Sequence, residues 1–214
     1  MSPVKPAEGK LDFKKDFKKL YAASAKEPSI VDVPAFNYLM IDGRGHPAKA
    51  ADFQKKIEVM FGLAYTLKFA FKFDKKKPLD FAVAPLSGLY SADDPSCFQD
   101  ERRQAEWKWT LAVPVPNEID AAALDRAKTA LREKKNPEFL DQAYLKVLHE
   151  GLSAQIMHVG PYDKEGPTIE RLHAFMADNG YAFNGAHNEI YLGDPRRTAP
   201  AKLKTIIRQP VRKR

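Results

Sequence analysis

Near its C-terminal end the chain carries HNEIYL, residues 187–192, which sets a carboxylate between an imidazole and a phenol. The stretch reads as a β-strand, and strand side chains alternate between two faces. Asn188, Ile190 and Leu192 share one face, which is ordinary core material; His187, Glu189 and Tyr191 share the other. A carboxylate held against aromatic rings can trap a cation, because ring faces also attract positive charge. In a low-dielectric cleft it can instead serve as general base toward water. A plainer reading makes Glu189 an exposed strand residue paired with Lys204 or Arg208 across the closing hairpin.

Other side chains invite the same question. In EWKWTLAV, Trp107, Trp109, Leu111 and Val113 alternate onto one face, and in AFNYLMID so do Phe36, Tyr38, Met40 and Asp42. Such faces serve as the wall of a pocket or as core. His158 ends its strand just before Gly160-Pro161-Tyr162, where it can donate a proton, bind a substrate or cap the turn. His158, His173 and His187 lack the spacing of a metal-binding motif, and no glycine loop is built to cradle phosphate, so neither a metal nor another cofactor is expected. Cys97 lies in a polar loop with no base nearby in sequence, which argues against a nucleophile.

The elements that must position these groups follow from periodicity. LDFKKDFKKLY near the start is a short amphipathic helix, and 1–28 form an N-terminal extension that is partly helical. SIVDVPAFNYLMIDGRG is a strand closed by a glycine turn. Residues 48–71 form a helix through Phe53, Ile57, Met60 and Phe61 toward Tyr65, 79–90 a strand, and 106–116 another, ended by prolines. Residues 118–135 are an amphipathic helix with acidic residues first and lysines last. Residues 139–149 are partly extended. GLSAQIMHVGPY is a strand, TIERLHAFMADNG a helix capped by Asn179-Gly180, and HNEIYL and KTIIRQPV are closing strands.

Aligning Met40 with Met157 gives each half a strand, a glycine turn, a helix and two further strands. The reading is a tandem duplication over 29–116 and 117–214 in an α+β class, with antiparallel sheets and helices on one face. The opposite sheet faces would enclose a central ligand cleft.

Composition narrows the function. The net charge is +7, concentrated toward the two ends, yet no nucleic-acid-binding motif accompanies it, and no direct nucleic acid binding is expected. The best apolar run, VMFGLAYTL, is far short of the ~20 residues a membrane helix needs. The N-terminus lacks the apolar core of a signal peptide, and a single cysteine fits a reducing compartment, so a cytoplasmic location without membrane contact is expected.

Five blocks, MFGLAYTLKF, PLSGLY, EWKWTLAVPVP, HVGPYDKEGPTIERLHAF and HNEIYLGDPRRTAPAKLKTIIRQPV, resemble in this order the GyrI-like small-molecule-binding proteins of bacteria, over roughly 30–212. The resemblance implies two strand–helix–strand–strand modules in pseudo-twofold arrangement around a ligand cleft. It implies a small-molecule ligand as partner, and a cleft glutamate that binds lipophilic cations in regulators of the family; the matching position is Glu189. In stand-alone members that hydrolyse cyclopropane-bearing DNA alkylators, a glutamate and a tyrosine act together. By resemblance these are Glu189 and Tyr65, with Trp109 as an aromatic wall and Tyr90, Tyr162, Tyr38, His158 and Tyr191 as further ligand-binding residues. Tyr90 stands where the family pattern suggests Trp, which bears on substrate identity more than on fold. Three functions stay open: a hydrolase of electrophilic xenobiotics, a non-catalytic binder of lipophilic drugs, and a gyrase-inhibitor-like interaction protein.

Overall fold

The computed structural model describes residues 9–214. In chain order these form α1 (Phe13–Asp16), α2 (Lys18–Tyr21), β1 (Ser29–Val33), β2 (Phe36–Arg44), α3 (Phe53–Lys72), β3 (Leu86–Ser91), β4 (Lys108–Val115), α4 (Ala121–Lys134), β5 (Tyr144–Leu148), β6 (Gly151–Val159), α5 (Gly166–Asp178), β7 (Tyr181–Phe183), β8 (His187–Tyr191) and β9 (Lys204–Lys213). Every pairing described between these strands is antiparallel. Strand–helix–strand–strand occurs as β2-α3-β3-β4 and, with the short β7 inserted after the helix, as β6-α5-β8-β9. In both, the first strand pairs with the last: Met40 lies opposite Ala112, and Met157 opposite Ile206.

The described residues divide into two compact units. The first takes in the chain up to Asp16, Phe36–Ala84 and Ser91–Leu148. Here β2 is flanked by β4 and β5, and α3 packs on β2, β4 and α4. The helices approach closely because Gly62 has no side chain: a Cβ there would meet Leu131 of α4 at 3.0 Å. Asp120 caps α4 by accepting from the Ala123 N–H at 2.8 Å. The buried face of α3 is Lys56, Val59, Met60, Leu63, Ala64 and Leu67. It is turned from the stripe expected through Ile57 and Phe61, and it leaves Tyr65 48% exposed. From Ile57 to Phe71 the helix is apolar on nearly every side, so periodicity alone did not select the face; the sheet and α4 do.

Two other expectations change. The strand expected over 79–90 begins only at Leu86, after Pro85; before it, Phe81 makes a single parallel bridge to Leu11. The expected N-terminal helix is two single turns, although Leu11, Phe13 and Leu20 are buried as an amphipathic pattern requires.

The second unit comprises Phe17–Ala35, Pro85–Tyr90 and His149–Arg214. Its strands run in the order β1-β6-β9-β8-β3, with β7 also on β9. Helix α5 lies on one face, where Leu172 and Met176 pack with Ala154, Ile156, Ile207 and Val211. The helix ends at Asn179-Gly180 as the sequence suggests, with Gly180 at φ +70°. The other face carries Met157, Ile190 and Ile206 together with a buried polar network. There Arg208 Nη1 meets Glu150 Oε1 at 3.3 Å, Arg208 Nη2 donates to the Leu20 carbonyl at 2.6 Å, and Asn188 donates to Glu150 at 2.9 Å. Arg208 is thus a buried partner of Glu150 and not the partner of Glu189 that the hairpin alone suggested.

Candidate functional site

The site grows from the register of β8. Glu189 lies directly opposite Ile207 of β9 and Gly88 of β3. Directly opposed residues share a face, and Ile207 packs under α5. Glu189 therefore occupies the helix-covered face of the sheet, not the opposite face expected from sequence. His187 and Tyr191 share this face, and Tyr191 lies opposite Thr205.

Gly88 is the residue that lets the rings meet. A Cβ there would stand 2.9 Å from the hydroxyls of Tyr90 and Tyr191. In the space it leaves, Tyr90 Oη and Tyr191 Oη are 2.7 Å apart, and Tyr191 donates to Glu189 Oε2 at 2.8 Å. Tyr191 spends its proton on the carboxylate, so Tyr90 donates to Tyr191, and the three groups form one directed chain. On the other side, His187 Nε2 lies 3.5 Å from Glu189 Oε1 without making a hydrogen bond. Tyr162, from the single 3-10 turn Tyr162–Lys164, stands edge-on to the ring of Tyr191 at 5.3 Å.

A second carboxyl joins the first. Glu165 immediately precedes α5, whose early Pro167 fits a helix start. It is 4% exposed, and its Oε1 has no hydrogen-bond partner. Burial, and then the charge on Glu189, push its pKa up to about 8. It is protonated at neutral pH, while Glu189 takes the tyrosine hydrogen bond. Burial and the same charge raise the phenols of Tyr90 and Tyr191 as well, so both stay donors. Tyr162 moves the same way, by burial first and then by Glu165, Glu189 and Asp194.

Of the residues singled out in the sequence, Glu189, Tyr191, Tyr90 and Tyr162 come together in this unit. His158 lies in the same unit but is spoken for. Its Nδ1 is 3.0 Å from Thr168 Oγ1 and its Nε2 3.1 Å from the Pro161 carbonyl, so it fastens the turn to the start of α5. Tyr65, Trp109 and Tyr38 belong to the first unit. Tyr65 stacks on Phe69 along the exposed side of α3. Trp109 is 1% exposed, packs edge-on to Phe53 and donates to the Gly45 carbonyl at 3.1 Å. Its ring covers Gly43, where a Cβ would lie 2.0 Å from it. Tyr38 is buried beside Phe36. Glu165, Thr205 and Gly88 are the members of the site that sequence reasoning missed. The Glu-Gly-Pro sequence at a helix start was the available signal for Glu165.

A glutamate on a short strand, bracketed by tyrosines and facing the start of the preceding helix, sits within residues 26–212, which match the GyrI-like small molecule binding domain. The chain belongs to this GyrI-like family. It is similar to an uncharacterized conserved protein from Listeria innocua, at 35% identity and a TM-score of 0.86 over 95% of this chain and 100% of that one. It is also similar to a hydrolase from Listeria innocua, at 34% identity and a TM-score of 0.82 over 95% and 100% of the two chains. The EcmrR C-terminal domain shares the fold at 14% identity, with a TM-score of 0.54 over 88% of this chain and 98% of that domain. No curated protein matches the GyrI-like chain. None of its described helices is long and apolar enough to cross a membrane.

Proposed function

We propose that this GyrI-like chain binds an apolar, electrophilic or cationic small molecule at Glu189 and hydrolyses strained cyclopropane-type xenobiotics. The observation that carries this reading is the chain Tyr90–Tyr191–Glu189. It fixes one carboxylate oxygen, Oε2, and leaves Oε1 beside the imidazole of His187, with the side chain of Glu189 17% exposed. The relative described as a hydrolase, similar along its whole length, supports the enzymatic version.

In the reaction, Glu189 takes a proton from water as the water oxygen bonds to the ring methylene. The cyclopropane C–C bond breaks, and its electron pair moves through the conjugated system to a carbonyl oxygen, which gains a proton from a donor or from solvent. Release of ring strain drives the step, so orientation and one base suffice. The resemblance gives the donor role to Tyr65, which would stabilise the developing oxyanion. Simple capture of lipophilic cations is the second reading, and the paired carboxyls favour it.

The test is incubation with a cyclopropane-bearing DNA-alkylating compound, with mass spectrometry for the water adduct, using wild type, Glu189→Gln and Tyr65→Phe. Adduct from wild type and none from Glu189→Gln supports the hydrolase. Ligand-induced thermal stabilisation that Glu189→Gln removes, without any adduct, leaves the binder.

A further inference from the structure

Two carboxyl groups meet on the helix-covered face of β8, and among the described residues no lysine or arginine is paired with either. Glu165 is almost wholly buried, and its Oε1 is without a partner; the hydroxyl of fully buried Thr205 stands beside its carboxyl, and the Nε2 of His187 is also unpartnered. A buried polar atom normally finds a partner. Several left open around one carboxylate leave this place short of hydrogen-bond and charge partners.

We propose that Glu165 is the proton-exchanging partner of Glu189: a cation seated at the pair displaces the proton that Glu165 holds, so this site takes up cations with release of H⁺. The proposal rests on the reading of Glu189 as the ligand's anchor. Its logic is electrostatic. Two adjacent carboxyls in a buried setting cannot both ionise unaided, and one keeps a proton. Tyr191 donates to Glu189 at 2.8 Å, whereas Glu165 has only the Thr205 hydroxyl beside its carboxyl and an Oε1 without a partner, so the proton rests on Glu165. A positive charge between them removes the repulsion that keeps it there. The balance is one cation bound and one O–H bond of Glu165 broken, with the proton leaving to solvent. Neutral guests leave the proton in place. The site therefore presents one negative charge to neutral ligands and two to cations, which makes Glu165 a determinant of charge specificity.

The other titratable groups here are His187 and Tyr191 on β8, Tyr90 on β3, Tyr162 before α5, Asp194 after β8, His173 on α5 and His158 on β6, opposite Thr205 with both ring nitrogens engaged. The phenols are raised and do not titrate near neutrality. Burial and the neighbouring His187 lower His173. Asp194 is held low by its hydrogen bonds with Arg196. The imidazole of His187 lies 3.5 Å from Glu189, and the experiment separates its part from that of Glu165.

The test uses the full chain and ethidium, a fluorescent aromatic monocation. Carboxyl-labelled NMR of the free protein is expected to show one glutamate titrating on the alkaline side of neutral. That signal should be missing in Glu165→Gln and move to lower pH in Glu189→Gln. Ethidium affinity in wild type should rise about tenfold per pH unit below that transition and level off above it, with proton release seen by calorimetry in two buffers. Glu165→Gln should bind with a flattened profile. Absence of any alkaline carboxyl titration overturns the proposal. So does a pH slope that survives Glu165→Gln and vanishes in His187→Asn, because the proton would then belong to the imidazole. Ethidium that fails to bind at any pH, with the alkaline titration present, overturns instead the cation reading of Glu189.

Discussion

Tyr191 donates its phenolic hydrogen to Glu189 at 2.8 Å, from two positions along the same strand. Alternation puts both side chains on one face, so the strand orients its own carboxylate without help from a loop. Tyr90, reaching across from β3 at 2.7 Å, locks the orientation from the neighbouring strand.

Removing that donor tests its worth. A hydrogen bond to a charged group contributes about 1.5–3 kcal/mol, and 1.36 kcal/mol corresponds to about tenfold in rate. Tyr191→Phe should lower the kcat of cyclopropane hydrolysis about tenfold or more while the ring continues to pack on Tyr162. Steady-state kinetics with a matched thermal melt is the check; an unchanged kcat would mean that Glu189 is oriented by something else.

Gly88→Ala should uncouple the two tyrosines. The new methyl would lie 2.9 Å from both hydroxyls, which are the movable ends of their side chains. The rings will part before the sheet does, so the stability loss should be modest, about 1–3 kcal/mol. Ligand binding or turnover should suffer as much as in Tyr191→Phe. A crystal structure of the variant that retained the 2.7 Å contact would refute this account.

Glu165 ties stability to pH. Its folded pKa, near 8, is above the ordinary value of 4.5, so the folded state holds the proton more tightly than the unfolded one. Stability must then fall as pH rises from about 4.5 to about 8, and level off beyond. Glu165→Gln, which keeps the shape of the protonated group, should stabilise the protein more at pH 8 than at pH 5. The expected gain at pH 8 is at least about 1 kcal/mol, or roughly 2–4 °C in Tm for a chain of this size. Equal gains at the two pH values would argue that Glu165 ionises normally.

Gly43→Ala examines the first unit. A Cβ at this position would lie 2.0–2.5 Å from ring atoms of Trp109, its cross-strand neighbour, and that ring is fully buried. The ring has nowhere to go, so the variant should lose about 3 kcal/mol or more by denaturant unfolding. A loss below about 1 kcal/mol would show that the packing there can yield.

Local physics carried much of the fold into the sequence. Alternation in HNEIYL assigned Asn188 and Ile190 to one face and Glu189 to the other, and both buried residues are where that pattern puts them. Asp120 and Gly180 marked helix ends by chemistry that acts within a few residues. The site was legible only in part. Glu165 and Glu189 are brought together by tertiary packing, and in sequence Glu165 reads as one more charge in a polar turn. Tyr65 looked like part of a buried stripe because its helix offers apolar residues on nearly all sides; the face was chosen by contacts with α4 and the sheet. The side of the sheet that Glu189 occupies was equally invisible, since alternation divides residues into two sets without saying which set the helix will cover.

The carbonyls of Lys19 and Leu20 accept hydrogen bonds from the side chains of Gln155 and Arg208. The family match begins only at residue 26. A shortened gene cut at that boundary would keep every strand and yet strip two acceptors from the interior beneath β6 and β9. The packed unit thus reaches upstream of the recognisable domain, and its leading peptide serves as a plug for a buried guanidinium.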